Sequence, residues 1–167
     1  MIVREAAGDA DLAAVRRLIL AHADARSEAP GVEQIRADAA RLPGPYVPPH
    51  GGLWIAVEGD TVVGCVALQP LPSGVGEVKR MLVDAEWRGR GVGRALLGAA
   101  EVSARDAGAS GMMIETQTNN VAACELYARA GYRITKVAPD AYPDVPGEVQ
   151  VMWAKTFGPS FHPADER

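Results

Sequence analysis

The chain has 167 residues, a length that favours one domain with its own core, and its 48% hydrophobic and 23% charged residues are typical of a globular protein. The formal net charge of −4 argues against a nucleic-acid partner, because such proteins normally need a concentrated basic surface. The charged N-terminus does not resemble a signal peptide, and no stretch stays apolar for about eighteen residues, so we predict a cytoplasmic protein without a membrane anchor.

The first third of the chain predicts one strand, two helices and a long loop. Residues 1–5 are typical of a short strand, and Asp9 or Asp11 can cap the amphipathic helix that follows, because a carboxylate accepts the N–H groups of a first helical turn. A second helix is predicted over residues 32–42. Residues 43–52 include four prolines and three glycines and are therefore predicted to be a loop.

The rest of the chain predicts strands and helices in a mixed order. Residues 53–58 and 61–68 are β-rich runs joined by a tight Gly-Asp turn, and a looser loop is expected over residues 69–76. The later predicted elements are a strand over 77–83, a helix over 92–107, a strand over 112–117, a helix over 121–130, and strands over 132–137 and 148–157. This order predicts an α/β fold with a mixed (α+β) sheet, in one domain over residues 1–158 with a flexible tail over 159–167.

The two cysteines, Cys65 and Cys124, lie in an apolar run and in an alanine-rich helical stretch. Their spacing matches no metal-ligand pattern, and two thiols do not make a disulfide framework. Both are therefore predicted to be small buried hydrophobic residues, and no metal site is expected.

A glycine-rich segment between a predicted strand and a predicted helix predicts a phosphate-binding loop. Backbone N–H groups at Gly89, Gly91 and Gly93 can approach an anion closely, at the positive end of the dipole of the helix that follows. The same segment contributes three positively charged side chains, Arg88, Arg90 and Arg94. These features suit a pyrophosphate group.

Three phosphate-binding patterns compete with the simpler interpretation of a glycine-rich turn before a surface helix. A P-loop requires lysine and then serine or threonine after the last glycine, where this chain has Arg94-Ala95. A dinucleotide fingerprint places its third glycine one residue later than this chain does. The third pattern is R-x-x-G-x-G, formed by Arg88, Gly91 and Gly93, and it resembles the pyrophosphate motif of the GNAT superfamily of N-acetyltransferases.

Two further segments share this resemblance. Residues 79–83, followed by Asp84, look like the family's strand that contacts the pantetheine arm of coenzyme A, and residues 120–132 look like its N-x-x-A-x-x-L-Y-x-x-x-G-F/Y segment. The resemblance implies a GNAT-like acyl-CoA N-acyltransferase fold, with a central, mostly antiparallel mixed sheet flanked by about four helices. It also implies acetyl-CoA as co-substrate, bound by Met81, Leu82, Val83, Arg88, Gly89, Arg90, Gly91, Val92, Gly93, Arg94 and Asn120.

The resemblance further implies direct attack of a primary amine on the thioester. Tyr127 is similar to the tyrosine that protonates the leaving sulfur, and the alternative is a tyrosine that fills the core. Glu77, eleven residues before Arg88, resembles a catalytic glutamate that deprotonates the amine; alternatively it is a solvated acid at a strand end or the partner of Lys79 or Arg80. Asn120 contacts the coenzyme, caps its helix, or does both.

The acceptor pocket is expected in two turn-rich loops, over residues 42–52 and 142–148, because long loops in a compact domain are often functional. They carry Tyr46, Tyr142 and Asp144, and the aspartate suits a cationic amine. The expected acceptor is an amine of a small molecule or a peptide, and the chain is expected to be a monomer or a homodimer.

Two other functions stay open. One is a coenzyme-binding sensor domain without catalysis, and the other is an acyltransferase that uses a larger acyl-CoA. The phosphate loop recognises the coenzyme and not the acyl group, so it does not separate these functions.

Overall fold

The computed structural model describes residues 1–27, 29, 31–49, 51–139, 141 and 149–158. The strands are β1 (Ile2–Glu5), β2 (Gly52–Glu58), β3 (Thr61–Pro70), β4 (Val75–Val83), β5 (Gly111–Gln117), β6 (Arg133–Ala138) and β7 (Gln150–Thr156). The helices are α1 (Gly8–Asp24), α2 (Val32–Ala40), α3 (Val92–Asp106) and α4 (Val121–Arg129), with a short 3₁₀ turn over Ala85–Trp87.

All seven strands belong to one sheet, in the order β1-β2-β3-β4-β5-β7-β6. Neighbouring strands are antiparallel except for the central pair, β4 and β5, which run parallel. Strand β7 lies between β5 and β6, so the last strand in the chain is not at the edge. The prediction of a mixed, mostly antiparallel sheet with four flanking helices is confirmed.

Helices cover both faces of the sheet and define two apolar clusters. Residues of α3 pack with Trp54 and Ala56 of β2, whereas residues of α1 pack with Leu53 and Ile55 of the same strand. Because both faces are covered, β2 is buried at five consecutive positions instead of alternating between apolar and polar residues. We call these two sides the α3/α4 face and the α1/α2 face.

The loop expected over residues 69–76 is much shorter in the structure. Strand β3 runs on to Pro70 and β4 begins at Val75, with Gln69 opposite Glu77. Two backbone hydrogen bonds close the turn, from Leu71 N–H to Val75 O at 2.8 Å and from Gly74 N–H to Leu71 O at 3.0 Å. The glycines and prolines on either side made the turn appear longer than it is.

The predicted cap of α1 is wrong in detail. The residue before the helix is Ala7, and no side chain caps it. Asp11 instead accepts a hydrogen bond from the Ala7 N–H at 2.7 Å and pairs with Arg4 at 2.5 Å and 2.9 Å. These bonds, first that from Arg4 and then that from Ala7, lower the pKa of Asp11. The carboxylate therefore ties β1 to α1 and does not cap the first helical turn.

Helix α3 offers a direct test of the core. Leu97 is buried in the α3/α4 cluster, whereas Val102 on the same helix is exposed. Leu97→Ala should lower the free energy of unfolding by about 2–5 kcal/mol, because it leaves a cavity that neighbours fill only partly. Val102→Ala, the matched control, should change it by less than about 0.5 kcal/mol. Urea denaturation measures both, and equal effects would contradict this packing.

Candidate active site

The central feature of the site is an opening in the middle of the sheet. The ladder between β4 and β5 runs from the pair Val75–Gly111 to the pair Val78–Ile114 and then stops, although β4 continues to Val83. Residues 79–83 therefore have β3 on one side and no strand on the β5 side. Backbone groups at the centre of a sheet need hydrogen-bond partners, so this gap, which we call the central wedge, can receive an extended ligand.

The glycine-rich loop lies at the open end of the central wedge, because it follows the end of β4 after the short 3₁₀ turn over Ala85–Trp87. Gly89 and Gly91 have φ values of +74° and +80°, which favour glycine, and a Cβ added at either would meet no atom within 4 Å. Gly91 precedes α3, whose first-turn N–H groups have no partner within the helix. The N–H groups at this end of α3 are therefore free of intrahelical partners, which is the property that an anion site at a helix N-terminus uses.

Gly93 has a packing role besides the anion-binding role predicted for its backbone N–H. A Cβ there would lie 3.2 Å from Cδ2 of Leu126 and 3.5 Å from Cε of Met81. This glycine lets α3 approach α4 and β4 closely, so its side faces the core and not a ligand. Val92 is also buried in the core, which leaves only its backbone N–H for an anion.

The three arginines of the loop differ in what they contact. Arg88 donates from Nε to Val83 O at 3.2 Å, which fastens the loop to the end of β4. The Arg90 guanidinium stacks on the Trp87 ring, 4.9 Å from its centre. Arg94 is exposed on the first turn of α3. All three cations remain close to the loop in sequence and can add charge around a bound phosphate.

Tyr127 lies at the side of the central wedge on the α3/α4 face. Its hydroxyl is 4.0 Å from the sulfur of Met81, which belongs to the part of β4 that lacks a β5 neighbour. The ring packs near those of Tyr132 and Trp153, with centres 6.2 Å and 6.3 Å away. Burial, together with the charge of Cys124, raises the pKa of Tyr127 well above its usual value. The phenol therefore stays protonated and can act as a donor.

Glu77 lies on the α1/α2 face, where the central wedge closes. It is the third residue of β4 and only 5% exposed, so it is not the solvated strand-end acid that the sequence also allowed. The Lys79 ammonium pairs with its carboxylate at 2.7 Å. Glu77 and Tyr127 are thus on opposite faces of the sheet, with the wedge between them.

A cavity of about 410 Å³ opens on the α1/α2 face next to Glu77. It lies between α2, the following loop and the middle of the sheet, and its lining residues are Gln34, Asp38, Arg41, Gly44, Pro45, Tyr46, Gln69, Lys79 and Arg80. Tyr46, which was predicted for the acceptor pocket, is one of these lining residues. Burial, then the negative charge of Asp38, raises the pKa of Tyr46. The other two predicted acceptor residues, Tyr142 and Asp144, lie outside the described residues.

Two features of this cavity were not predicted from the sequence: the presence of Asp38 and the way in which β4 presents its basic residues. Arg80 has a φ of +48°, and the pairing with β3 shifts between Cys65 and Ala67, which marks a β-bulge. Arg80 consequently turns to α2, where its Nε donates to Asp38 at 3.1 Å. A signal was present, because the apolar residues Val78 and Met81 flank two consecutive polar ones where a regular strand alternates.

Asn120 caps α4, the simpler of its two predicted roles. Its side-chain oxygen accepts from the Ala123 N–H at 3.4 Å, and its amide donates to Thr116 at 3.5 Å. The cap lies directly after β5 and so positions α4, which carries Tyr127, beside the central wedge.

The two cysteines differ in burial. Cys65 is fully buried, as predicted; burial raises its pKa to about 12, and its thiol donates to Arg80 O at 3.4 Å. Cys124, on α4, is only half-buried where it packs against the α3/α4 cluster, so the prediction of a buried residue is wrong in extent. Among the described residues no three His, Cys, Asp or Glu side chains are grouped so that they could hold a metal ion.

This geometry is accompanied by a clear family relationship. The family model described as acetyltransferase (GNAT) family matches residues 18–132, and the chain therefore belongs to the GNAT family of acetyltransferases. The predicted family is confirmed.

Two curated relatives illustrate the similarity. The chain is 35% identical to N-acetyltransferase 8F1 of Rattus norvegicus over 106 residues, which cover 60% of this chain and 48% of that protein. It is 32% identical to the streptothricin acetyltransferase of Escherichia coli over 95 residues, which cover 55% of each. The chain spans about half the length of the curated relatives it matches.

Solved structures share the fold and in some cases hold the coenzyme. A GNAT acetyltransferase of Staphylococcus aureus has a TM-score of 0.77 at 18% identity, with 94% of this chain and 99% of that chain covered. A Bacillus anthracis protein assigned as a streptothricin acetyltransferase, in complex with acetyl coenzyme A, has a TM-score of 0.63 at 30% identity and covers 68% of this chain and 66% of its own. The predicted fold is confirmed, and the acetyl coenzyme A bound to the Bacillus anthracis protein shows that this relative holds the coenzyme.

The buried phenols predict a loss of stability at alkaline pH. Because folding raises the pKa of Tyr127, the stability it contributes is complete below about pH 10, the unfolded value, and is lost as the pH rises above it. Tyr127→Phe should make the decline between about pH 9 and 11 shallower, by up to about 1.4 kcal/mol per pH unit. Urea denaturation across this range measures the slope, and identical slopes would show that the phenol already ionises freely in the folded protein.

Proposed function

We propose that this protein transfers an acetyl group from acetyl-CoA to a primary amine of a small molecule or a peptide. The observation that carries the proposal is the central wedge, which ends at the glycine-rich loop and has Tyr127 on one side and Glu77 with the cavity on the other. An extended thioester in the wedge would have its pyrophosphate at the loop, a proton donor near its sulfur and an amine site near its carbonyl carbon.

In the proposed reaction the chain positions three groups. Glu77, directly or through a water, takes a proton from the acceptor ammonium, and the amine lone pair then attacks the thioester carbon. Backbone N–H groups of residues 79–83 stabilise the oxyanion as it develops. The carbon–sulfur bond breaks, and Tyr127 gives its proton to the leaving thiolate. The attacking nitrogen loses its second proton, which restores the phenol through solvent, and Glu77 releases the first proton to solvent. Products are the acetylated amine and free coenzyme A.

The cavity is the proposed acceptor site. It is next to Glu77 through Lys79, which both pairs with that carboxylate and lines the cavity. It also lies on the face opposite Tyr127, so an amine and a leaving sulfur would occupy different sides of the carbonyl. The acetyl transfer is tested by a screen of amines and peptides for release of free thiol from acetyl-CoA.

Further parts of the proposal concern the location of the protein, its tail and oligomeric state, and the size of the acyl donor. No helix among the described residues is long and apolar enough to cross a membrane; we place the protein in the cytoplasm on the sequence features alone. The tail over 159–167 and the oligomeric state stay predictions. A donor larger than acetyl-CoA is an alternative that the same screen, repeated with succinyl-CoA and propionyl-CoA, distinguishes.

The loop assignment predicts a loss of coenzyme affinity. Gly91→Ala should weaken acetyl-CoA binding by about 10-fold or more, because a side chain disfavours the positive φ and disturbs the amide donors. Gly98→Ala is the control, since Gly98 is on α3, the helix that Gly91 precedes, and an added Cβ meets nothing within 4 Å. Calorimetric titration measures both affinities. Unchanged affinity in a folded Gly91→Ala protein would move the anion site elsewhere.

The role of Tyr127 separates an enzyme from a sensor. Tyr127→Phe keeps the ring contacts with Tyr132 and Trp153 and removes only the donor. We expect kcat to fall by about 10–10³-fold with little change in the coenzyme Kd, because the proton is needed only as the thiolate leaves. Single-turnover acetyl transfer measures the loss. Full activity would mean that water supplies the proton, and tight coenzyme binding without transfer by the wild type would favour the sensor.

A further inference from the structure

The cavity next to Glu77 carries more positive than negative charge. Its charged lining residues are three cations, Arg41, Lys79 and Arg80, and one anion, Asp38. The β-bulge explains this surplus, because it turns Arg80 to the same face as its neighbour Lys79, where a regular strand would point the two to opposite faces. Even when Glu77 is included, three cations face two anions.

Asp38 neutralises Arg80 and leaves the other two cations less fully compensated. Burial by itself would raise the pKa of Asp38, but hydrogen bonds from Arg80 and Gln34 outweigh it, so the pKa is lowered and the group is anionic. Asp38 contacts Arg80 closely through its Oδ2 and Arg41 only at 3.4 Å through Oδ1. Arg80 is thus fixed to α2, whereas Arg41 keeps most of its donors.

Lys79 and Arg41 remain accessible to a ligand. The Lys79 side chain is 31% exposed and pairs with Glu77, but an ammonium has three N–H donors and one ion pair does not use them all. The Arg41 side chain is 66% exposed, and its planar guanidinium suits a carboxylate. The two cations therefore face the same cavity from its floor on β4 and from the end of α2.

We propose that the acceptor is an amine that also carries a carboxylate near its amino group, as an α-amino acid does, and that Lys79 and Arg41 bind this carboxylate. The inference rests on the proposed function and narrows its substrate class. A second cationic group on the acceptor would meet three cations in the cavity, which disfavours it.

The test compares acceptors that differ only in the carboxylate. A panel of α-amino acids, each with its amide and its decarboxylated amine, is assayed by thiol release from acetyl-CoA, with rates expressed per unprotonated amine. We expect the preferred amino acid to exceed its amide and its decarboxylated amine in kcat/KM by about 10-fold or more, the worth of one hydrogen bond to a charged group. Equal values, or a preference for diamines, would overturn the inference.

Variants identify the residues responsible. Lys79→Met and Arg41→Met should each lower the ratio of acid to amide by about 10-fold, mainly through KM. Arg36→Met is the matched control, because Arg36 is on α2, pairs with Asp24 at 2.7 Å and does not line the cavity. Its ratio should equal that of the wild type. Arg41 is on the surface, so its variant keeps the test valid if Lys79→Met fails to fold.

The two levels of proposal fail in different ways. If no member of the panel or of a wider amine set releases thiol, the proposed acetyl transfer itself is wrong. If amines are acetylated but the acid-to-amide ratio is near one, or is unchanged in both variants, the transfer stands and only the carboxylate site is overturned.

Discussion

The interrupted pairing between β4 and β5 is the constraint on which the rest of the site depends. A polypeptide backbone in the middle of a sheet must have partners for its N–H and C=O groups, and beyond Val78 strand β5 no longer supplies them to β4. The unpaired N–H and C=O groups of β4 can bind an extended ligand whose amide groups have the spacing of a strand. The opening is therefore suited to one common donor molecule, whatever the acceptor is.

The two faces of the sheet separate the parts of the proposed reaction. Tyr127 belongs to the α3/α4 cluster, with its hydroxyl close to the wedge through Met81. Glu77 and the cavity belong to the other face, covered by α1 and α2. A carbonyl held in the wedge is accessible from both sides. Nucleophile and leaving group can then be served by different residues without competing for space.

The bulge at Arg80 links the central wedge, the proposed donor site, to the cavity proposed for the acceptor. It places a non-glycine residue in a strained left-handed conformation, which the ion pair with Asp38 stabilises. The pair fastens α2 to β4, and α2 with its following loop forms one wall of the cavity. Since this wall is separate from the glycine-rich loop, acceptor preference can change through α2 without disturbing the donor site.

The sequence alone determined what depends on local chemistry. The order of strands and helices, the glycine-rich turn into α3, the Asn120 cap and the position of Tyr127 on its helix all follow from residues within a few places of one another. Turn composition and periodicity carry such information because they act over one or two helical turns or strand repeats.

Only the tertiary structure decided which distant groups meet. Asp38 and Arg80 are 42 residues apart, and no periodicity connects them. The burial of Glu77 depends on β3, β5 and the helices that cover the sheet, so its local sequence could not distinguish a buried acid from a solvated one. Likewise only the packing of α4 against α3 shows that a side chain added at Gly93 would lie against Leu126. The physical reason is that burial and charge pairing depend on neighbours in space, which are brought together by the packing of the whole sheet.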